Sequence, residues 1–316
     1  MKKVFFKSAL CLLILIILCV GSFAMPKSLI PGGNTVGIKL YADGLMISQV
    51  EDGLPAQKAG LRIGDSIMAV NNIEHPSVKD LLGALQGGKR AILRVKRGEK
   101  TAQFLVSPQY RDGAYRIGLR VRDGISGIGT VTYYDPQKNC FGALGHGVSA
   151  QSDGTVLPLS SGFLVSSSVA EIHKGCVGTP GELKGAFDVS RSIGNVLKNN
   201  GCGIFGTVSS LPVRAAVPLG QGHTGKAVIR SNIDGTEIGQ FQVQIERITE
   251  GEKNGRELFL RVTDEELLKK TGGIVQGMSG SPILQDGKLI GAVTHVLISD
   301  PKCGYGISIE RMLDAA

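Results

Sequence analysis

Near the C-terminus, Gly277-Met278-Ser279-Gly280-Ser281-Pro282 sets a serine between two glycines, with a proline just beyond. Flanking glycines permit a tight turn that projects the serine oxygen into a cleft, and they let backbone N–H groups approach a ligand unobstructed. The apolar pair Ile283-Leu284 follows, then the turn Gln285-Asp286-Gly287-Lys288, then the apolar run Leu289-Ile290-Gly291-Ala292-Val293. An Asp-Gly step between apolar runs is a strong hairpin signal. The stretch therefore predicts a serine presented on a turn that feeds an antiparallel hairpin. That setting suits a nucleophile, with the N–H groups of Gly277 and Ser279 as the expected donors to a developing oxyanion. The competing reading is a Gly-Ser loop that only turns the chain.

A serine nucleophile needs a base. Of five histidines, His146 has the most suitable setting, in the glycine-lined turn Gly142-Ala143-Leu144-Gly145-His146-Gly147-Val148. An imidazole with a pKa near 6.5 accepts a proton at neutral pH. His295, just after the predicted hairpin, is the rival. A third group must fix the imidazole tautomer. Asp264, at the end of the alternating run Leu258-Phe259-Leu260-Arg261-Val262-Thr263, is the candidate, with Asp188 and Asp234 as alternatives. Thr263-Asp264-Glu265-Glu266 reads equally as an N-cap opening a short helix. The order His146, Asp264, Ser279 is that of chymotrypsin-like enzymes, although the 15-residue separation of acid and serine is short. Cys140, Cys176, Cys202 and Cys303 show no zinc-ligand spacing, so no metal site is expected, and their pairing is left open.

The totals agree with such a fold. Among 316 residues there are 45 glycines without a collagen period, which argues for many turns and short strands in a mainly β protein. The length suits about two domains. The net charge of +8 is scattered, without a basic block or aromatic interleaving, so nucleic acid is not an expected partner. Membrane association stays open. Lys2, Lys3 and Lys7, the 12-residue apolar run from Ala9 to Val20, and Ser22-Phe23-Ala24 make residues 1–24 a signal peptide or membrane anchor. The remainder is therefore expected to be exported. Residues 25–35, with Pro26, Pro31, Gly32 and Gly33, read as a linker.

Residues 36–107 resemble a PDZ domain. The resemblance lies in Leu54-Pro55-Ala56, Lys58-Ala59-Gly60-Leu61, Gly64-Asp65 and Val70-Asn71, followed by a predicted helix from Ser77 to Leu85. Such domains take up an extended peptide as an added strand. The peptide-binding loop is expected at Val36-Gly37-Ile38, with Val78, Leu81 and Leu82 flanking the groove. Residues 108–316 are then the peptidase domain, a chymotrypsin-like double β-barrel preceded by the α+β PDZ domain.

With the leader and the PDZ pattern, Leu144-Gly145-His146-Gly147-Val148 and the run from Thr271 to Ile283, followed by Gly291-Ala292-Val293-Thr294-His295-Val296, resemble the SpoIVB peptidase family (stage IV sporulation protein B). The resemblance implies a cofactor-free serine endopeptidase of endospore formation. It would be exported into the space between the forespore and mother-cell membranes. There it would cleave a membrane-tethered regulator, so that a late sigma factor is activated, and it would also cleave itself. It implies catalytic roles for His146, Asp264 and Ser279. Thr294, His295 and Val296 are expected to pair with the substrate, and the PDZ domain to hold a peptide segment. A PDZ adaptor with a degenerate protease fold and a general envelope quality-control protease are the alternatives.

Overall fold

The structure, a computed structural model, describes residues 26–98, 100–149, 155–252 and 254–316. The segment read as a signal or anchor lies outside them. Two closed six-stranded antiparallel barrels carry the fold. The first runs in the ring order Thr35–Val50, Leu119–Asp135, Cys140–Ala143, Gly203–Val208, Glu182–Asn200, Leu159–His173 and back to the first strand. The second runs Gly225–Asp234, Glu237–Ile248, Leu258–Val262, Cys303–Ser308, Lys288–Val296, Pro282–Gln285. The expected hairpin after the serine turn is the last pair of this ring. Alternation builds the barrels: Phe241, Val243 and Ile245 point inward with Gln242 exposed between them, and Leu258, Leu260 and Val262 do the same on the next strand.

Leu29, Tyr133, Phe205, Leu289, Ala292, Ile307, Ile309 and Met312 fill the seam between the barrels. The terminal helix Ile309–Ala315 closes that seam. Asn200 Nδ2 donates to the Ala315 carbonyl at 2.9 Å and Lys198 Nζ to the Ala316 carbonyl at 2.7 Å. The linker expected at residues 25–35 is instead structural. Ser28–Pro31 is a strand that pairs with Tyr133 and Tyr134 on one side and with Val217 and Pro218 on the other, and Leu29 is fully buried. Gly32 follows where a side chain would strike the Val131 carbonyl, at 2.1 Å from its oxygen. The Pro and Gly residues there mark the end of a buried strand, and Leu29-Ile30 carries the packing.

The PDZ unit is present, but it does not precede the peptidase. It is inserted into the first barrel. The outgoing strand Thr35–Val50 pairs along Thr35–Tyr41 with Gly124–Thr130 inside the barrel, and along Met46–Val50 with Leu119–Arg122 of the same return strand inside the PDZ unit. Two continuous strands thus serve both units, and the boundaries at 36 and 107 fall within shared structure. The register slips between Tyr41 and Met46, where Gly44 takes φ 91 against the Ile67 carbonyl. The PDZ core gathers Leu45, Ile47, Ala56, Leu61, Ile67, Leu81, Leu85 and Leu93. The predicted helix is Val78–Leu85, opened by a reciprocal capping box between Ser77 and Asp80. Buried Asp65, in the Gly-Asp turn, is gripped by Arg97 through bonds of 2.6 and 2.7 Å.

The insertion also corrects the expected peptide loop. Val36-Gly37-Ile38 lies in the barrel wall, where Gly37 faces Val165 and Ile128 on its two neighbouring strands. A Cβ on Gly37 would sit 2.5 Å from both Phe187 Cδ1 and Val165 Cγ2. Gly37→Val should therefore lower the unfolding free energy by about 1–3 kcal/mol, the usual cost of overpacking. Its affinity for peptides at the PDZ unit should be unchanged. Urea unfolding and peptide titration on the same variant check both halves of this expectation.

Candidate active site

The serine turn is pinned between the barrels. Gln276 bridges to Glu182, with Gln276 N–H donating to the Gly181 carbonyl and Leu183 N–H donating back to Gln276, at 2.8 and 2.9 Å. Past it, Thr130 of the return strand takes hold. Its N–H donates to the Ser279 carbonyl at 2.9 Å and its hydroxyl to the Gly277 carbonyl at 2.7 Å. Both framing glycines are required. Gly277 takes φ 99 and Gly280 takes φ 94, and a Cβ on Gly280 would lie 2.0 Å from the Thr130 oxygen. Among the described residues, the N–H groups of Gly277 and Ser279 donate to no protein acceptor. They are thus free to receive an anionic oxygen.

His146 arrives on a strained turn. Leu144 and Gly145 both take φ 70, a conformation uncommon for leucine. A Cβ on Gly145 would press within 3.0 Å of Thr294 and Ile307 side chains. His146 Nδ1 lies 2.9 Å from the Gly147 carbonyl. A carbonyl only accepts, so Nδ1 carries the proton and Nε2 keeps its lone pair. Burial holds this imidazole below its ordinary range, against a smaller opposing effect of the Gly147 carbonyl. It is therefore neutral at pH 7, with Nε2 as the site that can take a proton. Ser279 Oγ donates to the Thr294 carbonyl at 2.7 Å, and the Thr294 hydroxyl donates to the Gly255 carbonyl at 2.6 Å.

His146, Ser279, Gly277, Thr294, His295 and Val296 all line one cleft of about 600 Å³, walled by Ile38, Ile125, Ile128, Leu144, Val275 and Ile298. His295 packs with its ring centroid 5.0 Å from that of His146, and its Nδ1 is buried without a partner. Burial, then the neighbouring His146 and Arg256, push its pKa down to about 4.

The structure does not bring Asp264 to this cleft. Its carboxylate caps the helix Glu265–Thr271, accepting Leu267 N–H at 3.0 Å and Gln242 N–H at 3.2 Å. Asp188 is exposed and bonded to Ser190, and exposed Asp234 faces Lys270. No carboxylate lines the cleft among the described residues. The partner that orients His146 is the Gly147 carbonyl. Thr130 and Gly255 escaped the sequence reading because a threonine inside an alternating strand and a glycine in a polar loop carry no distinguishing pattern. The four cysteines Cys140, Cys176, Cys202 and Cys303 are unpaired. Burial and Asp300 push the Cys303 thiol up to about 11, which suits packing and not nucleophilic work. The described residues contain no cluster of three or more metal-ligating side chains, and no helix long and apolar enough to cross a membrane.

A second groove, of about 370 Å³, lies on the PDZ unit. Val78, Leu81, Leu82 and Leu85 of the helix form one wall, and Ile117–Val121 of the return strand form the other. The loop that borders this groove is Arg116-Ile117-Gly118-Leu119, some 80 residues beyond Gly37. Gly118 takes φ 78, and neither it nor Ile117 donates its N–H to a protein acceptor among the described residues. Such paired free amides form a nest for a carboxylate or a backbone carbonyl.

Comparison with known proteins places these features. A family described as SpoIVB peptidase S55 matches residues 113–313, and a PDZ domain family matches residues 46–97. A protein of Lactococcus lactis subsp. lactis whose name describes a zinc metalloprotease, LL2128, is 40% identical over 75 residues, 23% of this chain. The chain spans only 18% of that relative's length. The PDZ domain of the SdrC-like protein from Listeria monocytogenes is 23% identical, with a TM-score of 0.23, over 26% of this chain and 90% of that one. The Rv3671c protease of M. tuberculosis in its active form is 15% identical, with a TM-score of 0.34, over 59% of this chain and 70% of that one. At these scores the fold assignment rests on the strand pairings above.

Two expectations follow for stability. Asp264→Asn should keep the helix cap to Leu267 but lose the bond from Gln242 N–H, at a cost of about 0.5–1.5 kcal/mol, while Asp264→Ala loses both and should cost about 1–3 kcal/mol. Chemical denaturation of both variants checks this. Acid should also weaken the fold through the two cleft histidines. Their folded pKa values lie below the unfolded value near 6.5, so between those values the unfolded chain binds more protons. Stability is lost as the pH falls below about 6.5, and the His295 contribution levels off near its folded value of about 4. His295→Asn should lose less stability than the wild type between pH 6.5 and 5, as read from urea midpoints at each pH.

Proposed function

The chain belongs to the SpoIVB peptidase S55 family and is a serine peptidase with a PDZ domain; on that premise we propose that it is an exported endopeptidase of endospore formation. The observation that carries the catalytic part is Ser279 on its glycine-framed turn, in one cleft with the neutral, half-buried His146 and two unengaged amides. Ser279 Oγ leaves the Thr294 carbonyl and attacks the scissile carbonyl carbon. His146 Nε2 takes its proton and returns it to the leaving amine. The oxyanion is received by the N–H groups of Gly277 and Ser279. The Gly147 carbonyl holds the ring and accepts the bond from Nδ1–H. The substrate lies extended along Thr294-His295-Val296. Water then enters by the same steps and releases the acyl product.

The PDZ groove takes an extended segment of the same protein substrate or of a tethering partner. A tether of this kind raises the local substrate concentration toward about millimolar. The substrate is a membrane-tethered regulator whose cleavage leads to activation of a late sigma factor, and the chain also cleaves itself. The work is done in the space between the forespore and mother-cell membranes. Support for these finer statements comes from the leader pattern of residues 1–24 and from the family.

Ser279→Ala should abolish peptide cleavage by several orders of magnitude while the fold survives. Ser281→Ala should keep it, because the buried Ser281 hydroxyl has no partner to lose. Asp264→Asn should stay within a few-fold of wild type; a loss of about four orders of magnitude would return Asp264 to the role of triad acid. Leu82, exposed on the groove helix, provides the tether test. Leu82→Glu should raise the KM for a protein substrate bearing a groove-binding segment and leave a short peptide unaffected. Steady-state kinetics on both substrates decide it.

A further inference from the structure

The catalytic cleft carries a permanent cation that the chemistry above does not use. Arg256 lines it, together with the two histidines and no carboxylate. Its position is set by the catalytic turn. Gly255, just before it, takes φ 69 and accepts the Thr294 hydroxyl, and Thr294 in turn accepts Ser279 Oγ. A Cβ on Gly255 would meet the Gly145 carbonyl at 3.3 Å, so this end of the loop also rests against the turn that presents His146. Two hydrogen bonds and one residue separate the backbone of Arg256 from the serine hydroxyl.

The guanidinium is supported but unpaired. It lies 5.4 Å over the ring of Tyr305, which packs edge-on against Phe259 at 5.5 Å. Arg94, Arg97, Arg261 and Arg311 all meet carboxylates. Arg256 meets none, although Glu257 is its chain neighbour, because Glu257 is committed to Arg311 and to the Ser308 N–H. An arginine stacked on an aromatic ring keeps a planar fork of donors oriented at little entropic cost, and that fork matches a carboxylate.

We propose that Arg256 is a specificity-determining residue, which selects protein substrates carrying a glutamate or aspartate next to the scissile bond. The inference rests on the peptidase reading and names its substrate class. Peptides that bring their own anion would complete the charge in the cleft that, among the described residues, lacks a counterpart. Neutral isosteres would leave the exposed fork to water and forgo the paired bond.

The test uses fluorogenic peptides identical except for Glu, Gln or Lys at one position at a time around the cleaved bond, with kcat/KM as the readout. At one position Glu should exceed Gln by about 10- to 100-fold. In Arg256→Lys that ratio should shrink, and in Arg256→Glu the preference should pass to Lys. A ratio near one at every position in the wild type, or an acidic preference that persists in Arg256→Glu, overturns the proposal. Labelling of Ser279 by a fluorophosphonate probe on the same preparations separates the two readings. Labelling and cleavage without an acidic preference sink this inference alone. An unlabelled protein that cleaves none of the peptides sinks the peptidase reading, and this inference with it.

Discussion

Thr130 is the residue on which the site depends. It is fully buried in a barrel strand, and it spends every backbone and side-chain group on the catalytic turns. Its N–H and hydroxyl hold the carbonyls of Ser279 and Gly277, and its own carbonyl accepts Leu144 N–H at 3.2 Å. One residue of the first barrel therefore fixes both the serine turn and the turn that delivers His146. The other ends of those peptide units are held too, Met278 N–H by the Val275 carbonyl at 3.1 Å and Gly280 N–H by the Val293 carbonyl at 2.7 Å, so the turn is fixed while the N–H groups of Gly277 and Ser279 stay unengaged. Gly280 completes the arrangement, since any side chain there would occupy the space of the Thr130 carbonyl.

Much of this was legible in the residues. The glycine-framed serine, the hairpin after it and the glycine-lined histidine announce themselves because positive φ and close approach demand glycine. The PDZ helix is legible because a capping box and an apolar face coincide over Val78–Leu85. What escaped reading was the context in three dimensions. Gly37 looks like a loop residue, yet it is a barrel residue crowded by Phe187. The prolines and glycines of residues 25–35 look like a linker, although Leu29-Ile30 among them is a buried strand. Asp264 has the sequence of both a triad acid and a helix cap, and the hydrogen bonds to Leu267 and Gln242 decide for the cap.

The cleft is unusual in its charges. A catalytic imidazole normally leans on a carboxylate, whose charge stabilises imidazolium as it forms. Here a carbonyl dipole orients the ring and a second half-buried histidine packs beside it. Both rings are held neutral by burial, and Arg256 at the rim reinforces that for His295. Whatever negative charge favours the imidazolium during turnover must come from outside the described wall of the cleft.

The two strands shared between the PDZ unit and the first barrel also bear on how the chain acquires its shape. Tyr41 and Gly124 are neighbours across the ladder although about 80 residues separate them in the chain. Closing so long a flexible loop costs about 4 kcal/mol in chain entropy. The intervening unit has its own core, and its strands pair mainly with near neighbours in the chain. Once it has collapsed, the ends of the outgoing and return strands lie side by side, one register shift away from the barrel pairing. The inserted unit thus lowers the cost of starting the barrel that supplies Thr130 and His146, since its first two strands are joined through a unit that closes on its own local contacts.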